Sequence, residues 1–181
     1  MRKIFCIIGE TGSGKDTLIK EMSKKFNIPQ VVSYTTRPKR ENEENGREHY
    51  FISNKEMDEF EKREDLLAWT KIGEFRYCAT VESIGDVAFY LIDPTGVRWL
   101  REHIKTMDIE IITIYIHVPL MDRMARCRKR SDFKTSFQKR VVAETLDFAK
   151  ARTDCEFDYL ITNKDLATTI NILSAIISEY L

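Results

Sequence analysis

The chain has 181 residues, 43% hydrophobic and 32% charged, which suits one globular domain with a sizeable core. Its 29 basic and 29 acidic side chains cancel, so no global charge draws it to nucleic acid or to a membrane surface, and neither is expected as a partner. No apolar run approaches bilayer-spanning length, and four scattered cysteines (Cys6, Cys78, Cys127, Cys155) and three unclustered histidines fit neither a disulfide framework nor a metal cage; a cytoplasmic protein without a secretory signal is expected.

The first predicted strand, Lys3 to Ile8, carries the run Ile4-Phe5-Cys6-Ile7-Ile8 and is followed by Gly9-Glu10-Thr11-Gly12-Ser13-Gly14-Lys15-Asp16-Thr17. A helical pattern from Lys15 to Phe26 comes next. Between a strand and a helix, this segment reads as a phosphate-binding loop. Its glycines let successive N–H groups converge on one anion, Lys15 adds a point charge, and the helix N-terminus adds its partial positive end. A nucleoside triphosphate is the ligand implied. The residue after the lysine would ordinarily carry a hydroxyl for Mg²⁺; here it is Asp16, with Thr17 one place later. Both are hard oxygen donors and are the candidate metal ligands.

Further strands are predicted at Val31 to Ser33, Val87 to Asp93, Glu110 to His117 and Asp158 to Ile161. Helices are predicted at Gly96 to Lys105, Leu120 to Lys129, Ser136 to Lys150 and Leu166 to Glu179. Near-continuous apolar strands alternating with helices imply an α/β fold with a parallel five-stranded sheet flanked by helices, the loop lying at the carboxyl edge of its first strand. Two segments break the alternation. Thr35 to Gly46 is charged, and it leads into strand-like stretches at His49 to Ser53 and Leu66 to Tyr77 around a short helix at Lys55 to Lys62, so a small mixed α/β insert is expected. Arg123 to Gln138 is basic and then polar and is expected to form a mobile helical lid. The division is thus a core of 1–32, 85–120 and 150–181, a lobe of 33–84 and a lid of 121–149.

Within the insert, Ser33-Tyr34-Thr35-Thr36-Arg37-Pro38-Lys39-Arg40 sets two arginines three apart, Gly46-Arg47-Glu48-His49-Tyr50-Phe51 follows, and Tyr77 comes later. Forked guanidinium groups with phenol hydroxyls suit the dianionic phosphate of a monophosphate. With the loop, these segments make the chain similar to the guanylate kinase family of nucleoside monophosphate kinases. The similarity also takes in the Trp69 to Tyr77 spacing, Ile92-Asp93 before Gly96-Val97, and Phe157 to Leu166.

The resemblance implies a core, a monophosphate lobe and a lid closing over ATP and GMP or dGMP, with Mg²⁺. It implies that Lys15 grips the donor phosphates while Arg37 and Arg40 hold the acceptor phosphate with Tyr77. Ser33 and Asp93 would lie toward the base. Arg130 and Arg140, with Arg126 and Arg128 as substitutes for Arg130, would neutralise the transferring group. The chain departs from the family pattern in four places. His49 stands where the family has a tyrosine, so either His49 or Tyr50 would meet the phosphate. Ala68 replaces a glutamate that reads guanine, Cys78 and Ala79 replace a glycine and a small hydroxyl residue, and Leu91 replaces an acid that Asp16 would compensate. Fewer acceptors at the base imply weaker base selection. Three other readings use the same residues: a GTP-hydrolysing switch built on Asp93-Pro94-Thr95-Gly96 and Asn163-Lys164-Asp165, which Asp16 disfavours; a non-catalytic binding module, which Lys15 and the lid arginines disfavour; and a kinase of the same fold acting on another nucleoside monophosphate or a sugar phosphate, which the aspartate-bearing loop permits.

Overall fold

The computed structural model describes residues 1–41, 43–105, 107–128 and 137–181. Its main sheet holds β1 (Arg2–Ile8), β6 (Val87–Leu91), β7 (Ile109–His117) and β8 (Tyr159–Thr162) in the order β6-β1-β7-β8, with every pairing parallel. Alternate residues of β1 face opposite sides. Ile4, Cys6 and Ile8 pack with Ala88, Tyr90, Val97, Leu100 and Phe148, beneath α3 (Pro94–His103) and α5 (Gln138–Thr153). Phe5 and Ile7 pack with Leu18, Ile19, Met22, Leu173 and Ile177, beneath α1 (Lys15–Phe26) and α6 (Leu166–Tyr180). Burial on both faces accounts for the unbroken apolar strands.

Among the described residues four strands make this sheet, where the sequence predicts five. The predicted strand Val31 to Ser33 shrinks to one parallel bridge, Gln30 to Phe89, with Phe89 N donating to Pro29 O at 2.9 Å and Val31 N to Phe89 O at 2.8 Å. Pro29 has no N–H to extend the ladder backwards. Ahead, the chain is already committed to the second sheet, since Tyr50 N donates to Ser33 O at 2.9 Å. Helix α3 begins at Pro94, two residues before its predicted start, because the Asp93 carboxylate caps it by accepting from Gly96 N at 2.6 Å and Pro94 is preset for the first helical position. Of the predicted lid, Arg123 to Cys127 belong to α4 (Leu120–Cys127) and Gln138 opens α5, while 129–136 lie outside the described residues.

The second sheet contains β2 (Tyr34–Thr35), β3 (Tyr50–Phe51), β4 (Leu66–Ile72) and β5 (Phe75–Thr80) in the order β3-β2-β5-β4. The predicted stretch Leu66 to Tyr77 is a hairpin: Ile72 pairs with Phe75 across Gly73-Glu74, and Gly73 takes the left-handed φ of 62° that a two-residue turn demands. Its back face packs Leu66 and Cys78 against Met57 of α2 (Asn54–Phe60), a helix opened by a reciprocal Ser53–Glu56 capping box. Its front face carries Ala68 and Ala79 into the same apolar cluster as Tyr90, Ile92 and Val97, which fastens the second sheet to the core.

Phe5 is fully buried between Phe89, at a ring separation of 5.6 Å, and Tyr180, at 5.9 Å. Phe5→Ala is expected to lower the unfolding free energy by about 3–5 kcal/mol in urea titration.

Candidate functional site

The loop between β1 and α1 has the conformation its glycines were expected to allow. Gly12 and Gly14 have φ of 86° and 87°, a region L side chains avoid. A Cβ at Gly12 would also lie 2.9 Å from Cys127 Sγ and 3.0 Å from Arg123 O, so α4 packs directly on the loop. Two side chains brace the loop at Ser13 O: Asn163 Nδ2 at 2.8 Å and Arg126 Nη1 at 3.4 Å. Asn163 is itself oriented by Thr169 Oγ1, which donates to its Oδ1 at 3.0 Å. Arg123 Nη1 donates to Thr11 O at 3.2 Å. Glu10 is buried, and Arg152 Nη1 donates to its carboxylate at 2.7 Å, so it fixes the loop's base. Lys15 is half-buried, whereas Asp16 and Thr17 are exposed on the first turn of α1.

One carboxylate already touches the loop. Thr11 N and Thr11 Oγ1 donate to the two oxygens of Glu144, on α5, at 2.8 and 2.6 Å. A cavity of about 310 Å³ opens beside this contact, lined by Glu10, His117, Arg123, Glu144, Thr145 and Arg152. Arg140, in the first turn of α5, precedes Glu144 by four residues and so shares its helix face. Arg126 turns its guanidinium to the carbonyls of Ser13, Asn163 and Lys164, and Arg128 is exposed. Arg130 lies outside the described residues.

The second cluster forms on the insert. Arg37 makes a two-point ion pair with Glu43, Nη1–Oε2 at 3.0 Å and Nη2–Oε1 at 2.8 Å, and Arg40 N also donates to Glu43 at 2.9 Å. Burial pushes the Glu43 carboxyl up, but hydrogen bonds from Arg37 and Arg40 outweigh it and hold the group below its ordinary value. Tyr77 faces the Arg37 guanidinium, which lies 5.4 Å over the Phe51 ring. Ser33 Oγ and His49 Nδ1 are 2.8 Å apart, and the His49 ring meets Tyr77 edge-on at 5.7 Å. The two expected alternatives for the phosphate therefore separate. His49 joins Ser33, Arg37 and Tyr77, whereas Tyr50 points the other way, stacked on Tyr34 at 4.9 Å, because adjacent strand residues face opposite sides. Cys78 also lies on the back face, fully buried, and burial pushes its thiol to about 12, so it is inert.

Register joins the two clusters. Ile7 pairs with Leu91, so Gly9 and Asp93, each two residues further on, leave adjacent parallel strands at one sheet edge. Thr70 Oγ1 donates to Asp93 Oδ2 at 2.9 Å, Thr70 pairs with Tyr77 across β4 and β5, and Tyr77 pairs with Thr35 across β5 and β2. Burial raises the Asp93 carboxyl, while the bonds from Gly96 N and Thr70 draw it back. Thr70, Glu144 and Arg152 have no motif and escaped the sequence reading; only the fold brings them here.

A family model for guanylate kinase matches residues 1–180. The chain belongs to the guanylate kinase family. Membership makes it an ATP-dependent nucleotide kinase. It is 31% identical over 187 residues to the guanylate kinase of Chlamydia felis and 28% identical over 184 residues to that of Chlamydia pneumoniae, in each case across 96% of this chain and 86% of the relative. Its fold is similar to the crystal structure of guanylate kinase from Anaplasma phagocytophilum, with a TM-score of 0.71 at 19% identity, covering 99% of this chain and 86% of that one. Among the described residues, no helix is long and apolar enough to cross a membrane.

If a phosphate of ATP uses the Thr11 amide that Glu144 occupies here, Glu144→Gln is expected to tighten ATP binding several-fold in calorimetry, since the neutral amide competes less well for Thr11 N–H.

Proposed function

We propose that this chain, in the cytoplasm, transfers the γ-phosphoryl group of ATP to GMP or dGMP, giving GDP or dGDP. The observation that carries the reading is the Asp93–Thr70 bond, which ties the edge bearing the phosphate loop to the sheet bearing Arg37, His49 and Tyr77. Phosphoryl transfer needs alignment and charge stabilisation more than a covalent participant. In this reading the core, the lobe of 33–84 and the lid of 121–149 divide the work. The amides of Gly9 to Thr17 and the Lys15 ammonium hold the donor, while Arg37, Arg40, His49 and Tyr77 hold the acceptor phosphate and Ser33 and Asp93 border the acceptor. The charge of the transferring group is assigned to Arg140 and to Arg130, which lies outside the described residues, with Arg126 and Arg128 as substitutes for Arg130. A cleft of about 390 Å³ beside the loop, lined by Asp122, Ala125, Arg126, Thr162, Asn163 and Lys164, has the size and position for the donor's base.

Asp16 and Thr17 fit Mg²⁺, being exposed hard oxygen donors on the turn that follows Lys15. Among the described residues no group of three or more His, Cys, Asp or Glu forms a metal cage, so the ion would be shared with phosphate oxygens. When bound, it neutralises charge on the triphosphate. Asp16→Asn is expected to raise the half-saturating Mg²⁺ concentration several-fold; an unchanged Mg²⁺ dependence removes Asp16 from the metal site.

The position of the family's base-reading glutamate is Ala68, fully buried beside Ala79 in the apolar cluster, and neither offers an acceptor to a base. The decisive assay is turnover of GMP, dGMP, AMP, UMP and CMP by the purified chain with ATP and Mg²⁺. GMP and dGMP are expected to react, with narrower discrimination against AMP than an acceptor-lined base pocket gives, and Lys15→Met is expected to lose on the order of a hundredfold in rate or more. Reaction of a pyrimidine monophosphate with no reaction of GMP or dGMP overturns the guanylate assignment, and no reaction with any monophosphate overturns the enzyme.

A further inference from the structure

We propose that His49 is a proton-accepting ligand of the acceptor phosphate: its imidazole, neutral in the empty cradle, takes one proton from solvent as the phosphate dianion of a nucleoside monophosphate enters beside Arg37, Arg40 and Tyr77. This deepens the function proposed above and rests on it.

Three observations combine. The first is the partner of Nδ1. Ser33 Oγ lies 2.8 Å away, and a hydroxyl both donates and accepts, so Ser33 donates to a bare Nδ1 or accepts from a protonated one. The pair keeps its hydrogen bond in both charge states, and a charge change at the ring breaks nothing in the lobe. The second is the ring's surroundings. His49 is half-buried, edge-on to Tyr77 at 5.7 Å and to Phe51 at 5.9 Å. These walls supply little solvation for an imidazolium. The third is the charge that faces it. Arg37 and Arg40, from the loop after β2, oppose protonation, and Glu43 from the same loop favours it. Burial first and Arg37 second hold the ring below its ordinary value, so near neutrality the empty cradle contains a neutral imidazole.

A dianion entering this cluster reverses the balance. It offsets the guanidinium field and offers oxygens to an N–H donor, both of which favour the charged ring. Proton affinity and phosphate affinity are then linked, each raising the other. The direction follows from the depressed starting point: the free ring titrates below the usual histidine range, the bound ring above its free value, and between those two values binding consumes a proton.

The test is calorimetric titration of GMP into the full chain near neutral pH in two buffers of different ionisation enthalpy, with guanosine as the control lacking phosphate. GMP sheds part of its own second proton on binding as a dianion, and this is common to wild type and variants. Wild type is expected to take up about half a proton or more per GMP beyond His49→Gln and His49→Tyr. The tyrosine variant keeps an aromatic ring in the Tyr77–Phe51 niche should the glutamine variant fold poorly. In the wild-type proton spectrum, which contains only three histidines, the His49 ring midpoint is expected to rise by about 1–3 pH units on adding GMP. In kinetics, KM for GMP is expected to rise between pH 6 and 8 more steeply in wild type than in the variants, with kcat changing less than KM. Equal proton counts in wild type and both variants, equal uptake with guanosine, or a His49 midpoint that GMP leaves in place overturns the inference. Turnover of GMP with any of those results leaves the proposed function standing, whereas failure of GMP and dGMP to bind or react overturns both.

Discussion

The register of two adjacent parallel strands is the constraint on which the site depends. Pairing of β1 with β6 brings Gly9 and Asp93 to one edge, so the loop that can cradle a triphosphate starts beside the residue that reaches the second sheet. A slip of one residue would swap the Phe5 and Ile4 faces and expose a buried set to the wrong helices. Core packing and site geometry are therefore set by the same ladder.

Charge is arranged the same way around both clusters, with a carboxylate pinning the basic group. Glu43 holds Arg37 and Arg40, Glu10 holds Arg152, and Asp147 takes Arg98 at 2.6 Å and Thr95 N at 3.2 Å, tying α5 to α3. Partly buried pairs of this kind add little net stability, because desolvation offsets attraction. Their effect is positional, since they leave guanidinium groups with one orientation.

Most of the core was readable from the chain because its signals are local. The strand–loop–helix around Lys15, the apolar strands and the helices up to α6 follow from periodicity and glycine placement. The lost fifth strand was not readable, because pairing at Gln30 is decided by Pro29 and by the pull of Ser33 into another sheet. Loop residues Gly9 to Thr17 and the cluster Ser33, Arg37, His49 and Tyr77 stood in motifs, but that Tyr50 turns away from this cluster is a matter of strand face, which only the Tyr34 stack reveals. Thr70, Glu144 and Arg152 reach the site across 23, 133 and 142 residues of chain, a separation that no spacing rule spans.

The forked pairing of Arg37 with Glu43 bears on when the entropy of ordering is lost. A free arginine loses roughly 2 kcal/mol of rotameric freedom when it is immobilised. Here that loss is already incurred as the polypeptide collapses: Glu43 takes both outer nitrogens of the fork and Pro38 O a further bond, so the guanidinium is fixed in place before any ligand arrives.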